Sequence, residues 1–148
     1  MSSFKGSYNY SVDSKGRINL PAKLRKHVST EAGDTFVVTR GFEQCLFVYP
    51  VDEWNKVEQK LRSLSSYDTQ HRRFMRELLE LAHETQLDAQ ARLSIPQELR
   101  EYADIQSEVR IIGTLDKIEV WNPKVYEQYK QNNPETYESV AEKVMRQS

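Results

Sequence analysis

Five residues, present twice, hold most of the chemical interest of this chain. Asp13-Ser-Lys-Gly-Arg17 and Asp88-Ala-Gln-Ala-Arg92 each set a carboxylate four residues before a guanidinium, at a constant offset of 75. An aspartate there can accept backbone N–H groups of a turn, Gly16 can take positive φ without a Cβ clash, and the arginine resumes the chain with its long side chain near the loop. A fold needs a turn at each place but has no evident need of arginine. Arginine in both copies points to a shared surface task, such as bidentate contact with guanine edges or phosphate oxygens. A salt bridge from arginine to aspartate, within the chain or between subunits, is the structural alternative. In the second copy Gln90 stands for Lys15 and Ala91 for Gly16. With one charge fewer and a Cβ that disfavours positive φ, that turn is expected to be the weaker of the two.

A search for catalytic chemistry returns little. Cys45 lies in the apolar run Cys45-Leu-Phe-Val-Tyr49, where a free thiol behaves as a small buried hydrophobe. His27, His71 and His83 have no mutual spacing that puts two on one helical turn or hairpin, so no metal site is expected, and no cofactor. The sequence contains no P-loop, glycine-rich dinucleotide turn, nucleophile elbow or His-Glu-x-x-His motif. Paired carboxylates such as Glu77 with Glu80, or Asp52 with Glu53, fall on expected helix surfaces or caps. The chain therefore reads as no enzyme, with no small-molecule substrate.

The elements that carry the turns come from a duplicated unit of about 50 residues. Asp, Arg and the following apolar, polar, apolar and Pro positions match between Asp13–Pro21 and Asp88–Pro96, and Leu24-Arg25 matches Leu99-Arg100 at the same offset. After a three-residue loop deletion, Leu46-Phe-Val-Tyr49 matches Ile118-Glu-Val-Trp121 at an offset of 72. Alternation at Phe4, Tyr8, Tyr10 and Val12, then at Ile18 and Leu20, predicts strands around the first turn, with Pro21 and Pro96 opening short helices. Phe36–Thr39 with Leu46–Tyr49, and Val109–Ile112 with Ile118–Trp121, predict two hairpins. Asp52, Asp68 and Asn122 are expected to cap helices. Apolar stripes at Phe74 to Ala82 and at Tyr137 to Met145 predict helices with a buried or partner-facing side. The expected division is a first unit over 7–54, linking helices over 55–82, a second unit over 83–126 and a C-terminal helix over 127–148.

Composition limits the function classes. The chain has 148 residues, 21 basic and 22 acidic, with 38% hydrophobic residues and one Cys. That excludes a disordered chain and an internally disulfide-stapled one. No apolar run approaches the roughly 18 residues of a membrane span, and Met1-Ser2-Ser3-Phe4-Lys5 begins no signal peptide. A soluble protein of a reducing cytoplasm, without a membrane partner, is expected. The net charge of −1 hides an asymmetry: residues 1–75 carry 12 basic against 8 acidic residues, and residues 76–148 carry 9 against 14. Within residues 1–30, Lys5, Lys15, Arg17, Lys23, Arg25 and Lys26 face Asp13 alone, which leaves room for a basic surface.

As an ordered series these motifs resemble the MraZ family of bacterial regulators. The resemblance runs from about Phe4 to Tyr126. It is carried by Gly6, by Asp13-Ser-Lys-Gly-Arg17 with Pro21, and by the Leu46-to-Trp54 segment with Pro50 and Glu53. Glu58-Gln-Lys60-Leu61 with Ser65-Ser66, Arg72-Arg73, and the Asp88-to-Pro96 copy complete it. The resemblance implies an α+β fold in which two SpoVT-AbrB-type units exchange hairpins into one closed double-psi-type β-barrel with flanking helices. It implies binding of double-stranded DNA at short G-containing repeats upstream of the division and cell-wall gene cluster, usually as a repressor. A ring-like homo-oligomer and a cytoplasmic, nucleoid-associated location go with it. Carried onto this chain, Arg17 is the leading base or phosphate reader and Lys15 and Lys5 are phosphate partners. Asp13 and Gly16 shape the loop, and Arg92, Gln90 and Asp88 do the matching work in the second unit. The rival reading is an AbrB-like interaction module of antitoxin type, acting through the C-terminal helix.

Overall fold

The computed structural model describes residues 1–147, and its elements follow the repeat. In the first unit β1 (Ser7–Ser11) leads through the Asp13 turn to β2 (Arg17–Asn19) and the one-turn helix α1 (Ala22–Arg25). The hairpin of β3 (Thr35–Arg40) and β4 (Leu46–Pro50) comes next, then helix α2 (Val51–Arg62). Helix α3 (Thr69–Leu79) connects to β5 (His83–Gln86), β6 (Arg92–Ser94), α4 (Gln97–Tyr102), β7 (Glu108–Gly113), β8 (Ile118–Trp121) and α5 (Pro123–Gln131), the same order again. α5 crosses residue 126, and a separate α6 (Tyr137–Arg146) follows.

Prolines set several of these boundaries. Pro21 and Pro96 precede α1 and α4 with φ of −54° and −57°, because a residue without an N–H leaves a ladder cheaply and is pre-set for a first helical turn. Pro50 does the same for α2, so Val51 opens that helix and the expected Asp52 cap is not made. Asp52 lies instead in the first turn, where its charge meets the positive end of the helix. Asp68 and Asn122 do cap α3 and α5, each accepting two backbone N–H groups.

Strands of the two units interleave. A six-stranded sheet runs in the order β1-β7-β8-β4-β3-β5, and β2 and β6 form a ladder of their own. β1 pairs with β7, Ser7 opposite Ile112, while β5 pairs with β3, Gln86 opposite Thr35. β4 meets β8 at the centre, with Phe47 opposite Glu119, and Ile18 of β2 faces Leu93 of β6. Exchanging the two units leaves this order unchanged, so the duplication is a two-fold pseudosymmetry of the structure. The ladders end at β1 and β5 and close no barrel: two antiparallel sheets, with six helices, make a mixed α+β protein.

Both faces of the central strands are buried. Alternation sends Phe36, Val38, Leu46 and Val48 to one side, where they pack with Ile18, Leu93, Leu24 and Leu99. It sends Val37, Phe47 and Tyr49 to the other, under Trp54 and Leu61 of α2, Leu78 of α3 and Trp121. The α3 stripe is thus largely core of its own chain: Leu78 is buried and Met75 packs beside it, whereas Phe74 and Leu79 keep partial exposure. On α6, Tyr137, Val140, Val144 and Met145 are exposed. Among the described residues no helix is long and apolar enough to cross a membrane.

Candidate nucleic-acid interface

The two turns match bond for bond. Asp13 Oδ1 accepts from the backbone N–H groups of Lys15 and Arg17 at 2.9 Å each, and Oδ2 accepts from Arg17 Nε at 2.7 Å. Asp88 Oδ1 accepts from Gln90 and Arg92 N–H at 2.9 Å each, and Oδ2 from Arg92 Nε at 2.9 Å. Gly16 N–H closes on Asp13 O and Ala91 N–H on Asp88 O. The conformations agree as well, with φ of +77° at Gly16 and +62° at Ala91. The expected weakness of the second turn is therefore not a difference of backbone shape. Its carboxylate bonds, and the bond that Ala91 O accepts from Leu20 N–H, outweigh the roughly 1–2 kcal/mol that a Cβ costs in the left-handed region.

The antiparallel pairing of β2 with β6 then sets the turns beside each other. Arg92 Nη1 stands 3.7 Å from Asp13 Oδ2, the same oxygen that Arg17 Nε contacts, so both guanidinium groups converge on one carboxylate. The arginine-to-aspartate pairs weighed as the structural alternative are present. Within each turn the pair is made through Nε, with the arginine side chain still 25% exposed, and Arg92 Nη1 faces Asp13 as well. An arginine tethered at Nε keeps its terminal nitrogens as a fork, now with a fixed direction. The N–H groups of Arg17 foremost, then its guanidinium, hold the Asp13 carboxyl down to about 2. Asp88 is lowered for the same reason by Arg92. Both aspartates stay ionised at any physiological pH, and their turns stay closed.

Two further arginines belong to this surface. Arg25 Nε donates to Leu20 O at 3.2 Å and Arg100 Nε to Ile95 O at 2.9 Å, so each lies against the strand end of its own unit. The Arg100 guanidinium fills the place of a Cβ on Gly16, with Cζ 2.6 Å from that position. Glycine at 16 is favoured twice, by its positive φ and by the arginine that covers it, which a Cβ would displace. The sequence carries a signal for them, Leu24-Arg25 and Leu99-Arg100 at the offset of the turns, although spacing alone does not bring either arginine to the site. Lys15 and Gln90 are exposed at the turn tips. Lys5 is not brought to them: it lies at the other end of β1, a strand spanning roughly 15 Å. With Arg17, Arg92, Arg25, Arg100 and Lys15 set against Asp13 and Asp88, the surface is cationic on a chain of net charge −1.

Fold and surface together define a class: a duplicated α+β protein whose exchanged strands bring two arginine turns together at one place. Comparison with known proteins gives the class its family. The family model described as "MraZ protein, putative antitoxin-like" matches twice, over residues 3–77 and 78–147. The protein called transcriptional regulator MraZ in Halothermothrix orenii is 48% identical over 138 residues, covering 93% of this chain and 94% of that one. Its namesakes in Natranaerobius thermophilus and Acetivibrio thermocellus are each 42% identical, over 96% and 95% of this chain and 96% of each relative. The chain belongs to the MraZ family. These relatives carry the name of a regulator and not of an enzyme.

Proposed function

We propose that this chain regulates transcription by sequence-specific binding of double-stranded DNA, with Arg17 and Arg92 as readers. The observation that carries the reading is the convergence of both guanidinium groups on Asp13 Oδ2, each fixed at Nε. Terminal nitrogens held in a known direction suit the paired acceptors of guanine O6 and N7, or a phosphate. Lys15, Arg25 and Arg100 add contacts to phosphate, while Asp13, Gly16 and Asp88 keep the turns in shape and Gln90 reaches past the second. The family resemblance supplies the target, short G-containing repeats upstream of the division and cell-wall gene cluster, and the direction, repression. It supplies also the division into two SpoVT-AbrB units that exchange hairpins, and a ring-like homo-oligomer. A ring would array several turn pairs on tandem repeats and raise avidity by roughly two to four orders of magnitude without a new contact.

The test is a fluorescence titration with a duplex carrying three native upstream repeats, against a scrambled duplex at equal salt. The wild type should prefer the repeats strongly, and the preference should disappear in Arg17→Ala while the circular dichroism spectrum is kept. A folded Arg17→Ala that retains wild-type affinity would reduce Arg17 to a structural residue. The antitoxin-type alternative is favoured by one observation, the exposed apolar side of α6. A protein complex through that helix would resist salt, whereas a phosphate-dominated one weakens steeply as salt rises.

A further inference from the structure

The second apolar cluster holds a group of ligating side chains that the arginine turns do not use. The loop between β3 and β4 is closed by Gly41 N–H on Cys45 O and Cys45 N–H on Glu43 O, both at 2.7 Å. Register sets β8 alongside, with Glu119 opposite Phe47. As a result the Cys45 sulfur and one carboxylate oxygen each from Glu43 and Glu119 lie within 4.8 Å of one another.

A second observation separates this from an ordinary acidic patch. The Cys45 thiol is fully buried and faces both carboxylates, yet among the described residues it makes no hydrogen bond. The Glu43 carboxylate likewise takes part in no hydrogen bond or ion pair among those residues. Glu119 is held in place by Trp121 Nε1, which donates to its Oε1 at 2.8 Å. Room for the sulfur comes from Gly41, where a Cβ would stand 2.6 Å from Sγ. The neighbouring cation, Lys117, is committed to Asp116 and to the rings of Phe47 and Tyr49. Burial and the two carboxylates push the thiol up to about 12, so without a cation it keeps its proton. Glu43 foremost pushes the Tyr129 phenol up as well.

We propose that Glu43, Cys45 and Glu119 form a binding site for a borderline divalent transition-metal ion of the zinc type. Sulfur selects such an ion over magnesium or calcium, and water completes four-coordination. On loading, the metal–sulfur bond replaces the S–H bond and the proton leaves to solvent, so charge and atoms balance. With metal–sulfur near 2.3 Å and metal–oxygen near 2.0 Å, tetrahedral ligand atoms stand roughly 3.3–3.5 Å apart. Rotation of the untethered Glu43 side chain closes the gap. The bound ion would tie the β3–β4 loop to β8, independently of any DNA contact.

Cobalt(II) is the probe, titrated into the untagged full chain. Cys45 is the single cysteine, so thiolate-to-cobalt charge-transfer absorption in the near ultraviolet reports it alone. The band should saturate at a single ion per chain, bleach on adding zinc(II), and be absent in Cys45→Ala. Glu43→Gln should weaken cobalt binding about tenfold or more, and its fold is safe because that carboxylate holds nothing else. Absence of the band in the wild-type chain overturns the site, and so does unchanged affinity in Glu43→Gln. If Cys45→Ala fails to fold, Glu43→Gln and Glu119→Gln decide by the same criterion.

Discussion

The Asp13 and Asp88 turns share their hydrogen bonds and conformation but differ in what they could afford to change. At the first, the Arg100 guanidinium lies where a Cβ would be and must move aside for any larger residue. At the second, Ala91 holds φ +62° with its Cβ in place, and the corresponding Arg25 is exposed. The carboxylates differ in the same direction: Asp13 Oδ2 meets both Arg17 and Arg92, whereas Asp88 Oδ2 pairs with Arg92. Two copies of one motif have therefore diverged in side-chain surroundings while backbone geometry was kept. Shape is set by the aspartate and the strand pairing. Charge and cover are where the units became unequal.

The comparison can be broken first at its base. Ile18→Ala and Leu93→Ala remove equivalent, fully buried partners across the β2–β6 ladder, and each should cost about 2–5 kcal/mol in urea unfolding. Costs of very different size would show that the pseudosymmetry does not extend to energetics. Next in size is DNA binding, where Arg17→Ala should lose about 1–3 kcal/mol per contact and Arg92→Ala less; equal losses in a titration would mean that Lys15 and Gly16 matter little.

Smaller effects sharpen the contrast. Gly16→Ala should destabilise by about 1–2 kcal/mol or more, as the positive φ and the displaced Arg100 both count against it, whereas Ala91→Gly should gain up to about 1 kcal/mol. A stabilised Gly16→Ala in thermal melts would contradict the role of Arg100. The last expectation concerns acid. Asp13 falls from 3.8 to about 2 in the fold, so its contribution is complete above the unfolded value and is lost as pH drops from 3.8 towards about 2. Asp13→Asn should flatten that part of the acid-unfolding curve, and an unaltered curve would show that the carboxylate is not held by its turn.

Much of this was readable in residue order. The repeat gave the element sequence because proline, aspartate and alternating apolar residues act locally, over a few positions. The Asp52 cap is not made because Pro50 opens the helix two residues earlier, two local signals competing for one boundary. Pairing across units was less legible: nothing local in Ser7–Ser11 names Val109–Ile112 as its neighbour. Arg25 and Arg100 are visible as repeated letters, yet the place of Arg100 over the Gly16 turn depends on how α4 packs. Glu43, Cys45 and Glu119 are joined only by the register of β4 with β8, which spacing along the chain does not contain.

The interleaved strand order also has a consequence for how the chain is made. Ser7 pairs with Ile112, more than 100 residues later, and Thr35 pairs with Gln86. At about 5–20 residues per second of synthesis, β1 waits roughly 5–20 s for β7 to be made. During that interval the β3–β4 hairpin gains β5 beside β3 but still lacks β8 beside β4. A polar β1, half-buried at most even in the finished sheet, makes this wait tolerable, since a more apolar strand would invite aggregation. Neither half can finish alone, and folding belongs to the slow class set by distant contacts. A chain cut near residue 82 should behave as two subunits that must find each other.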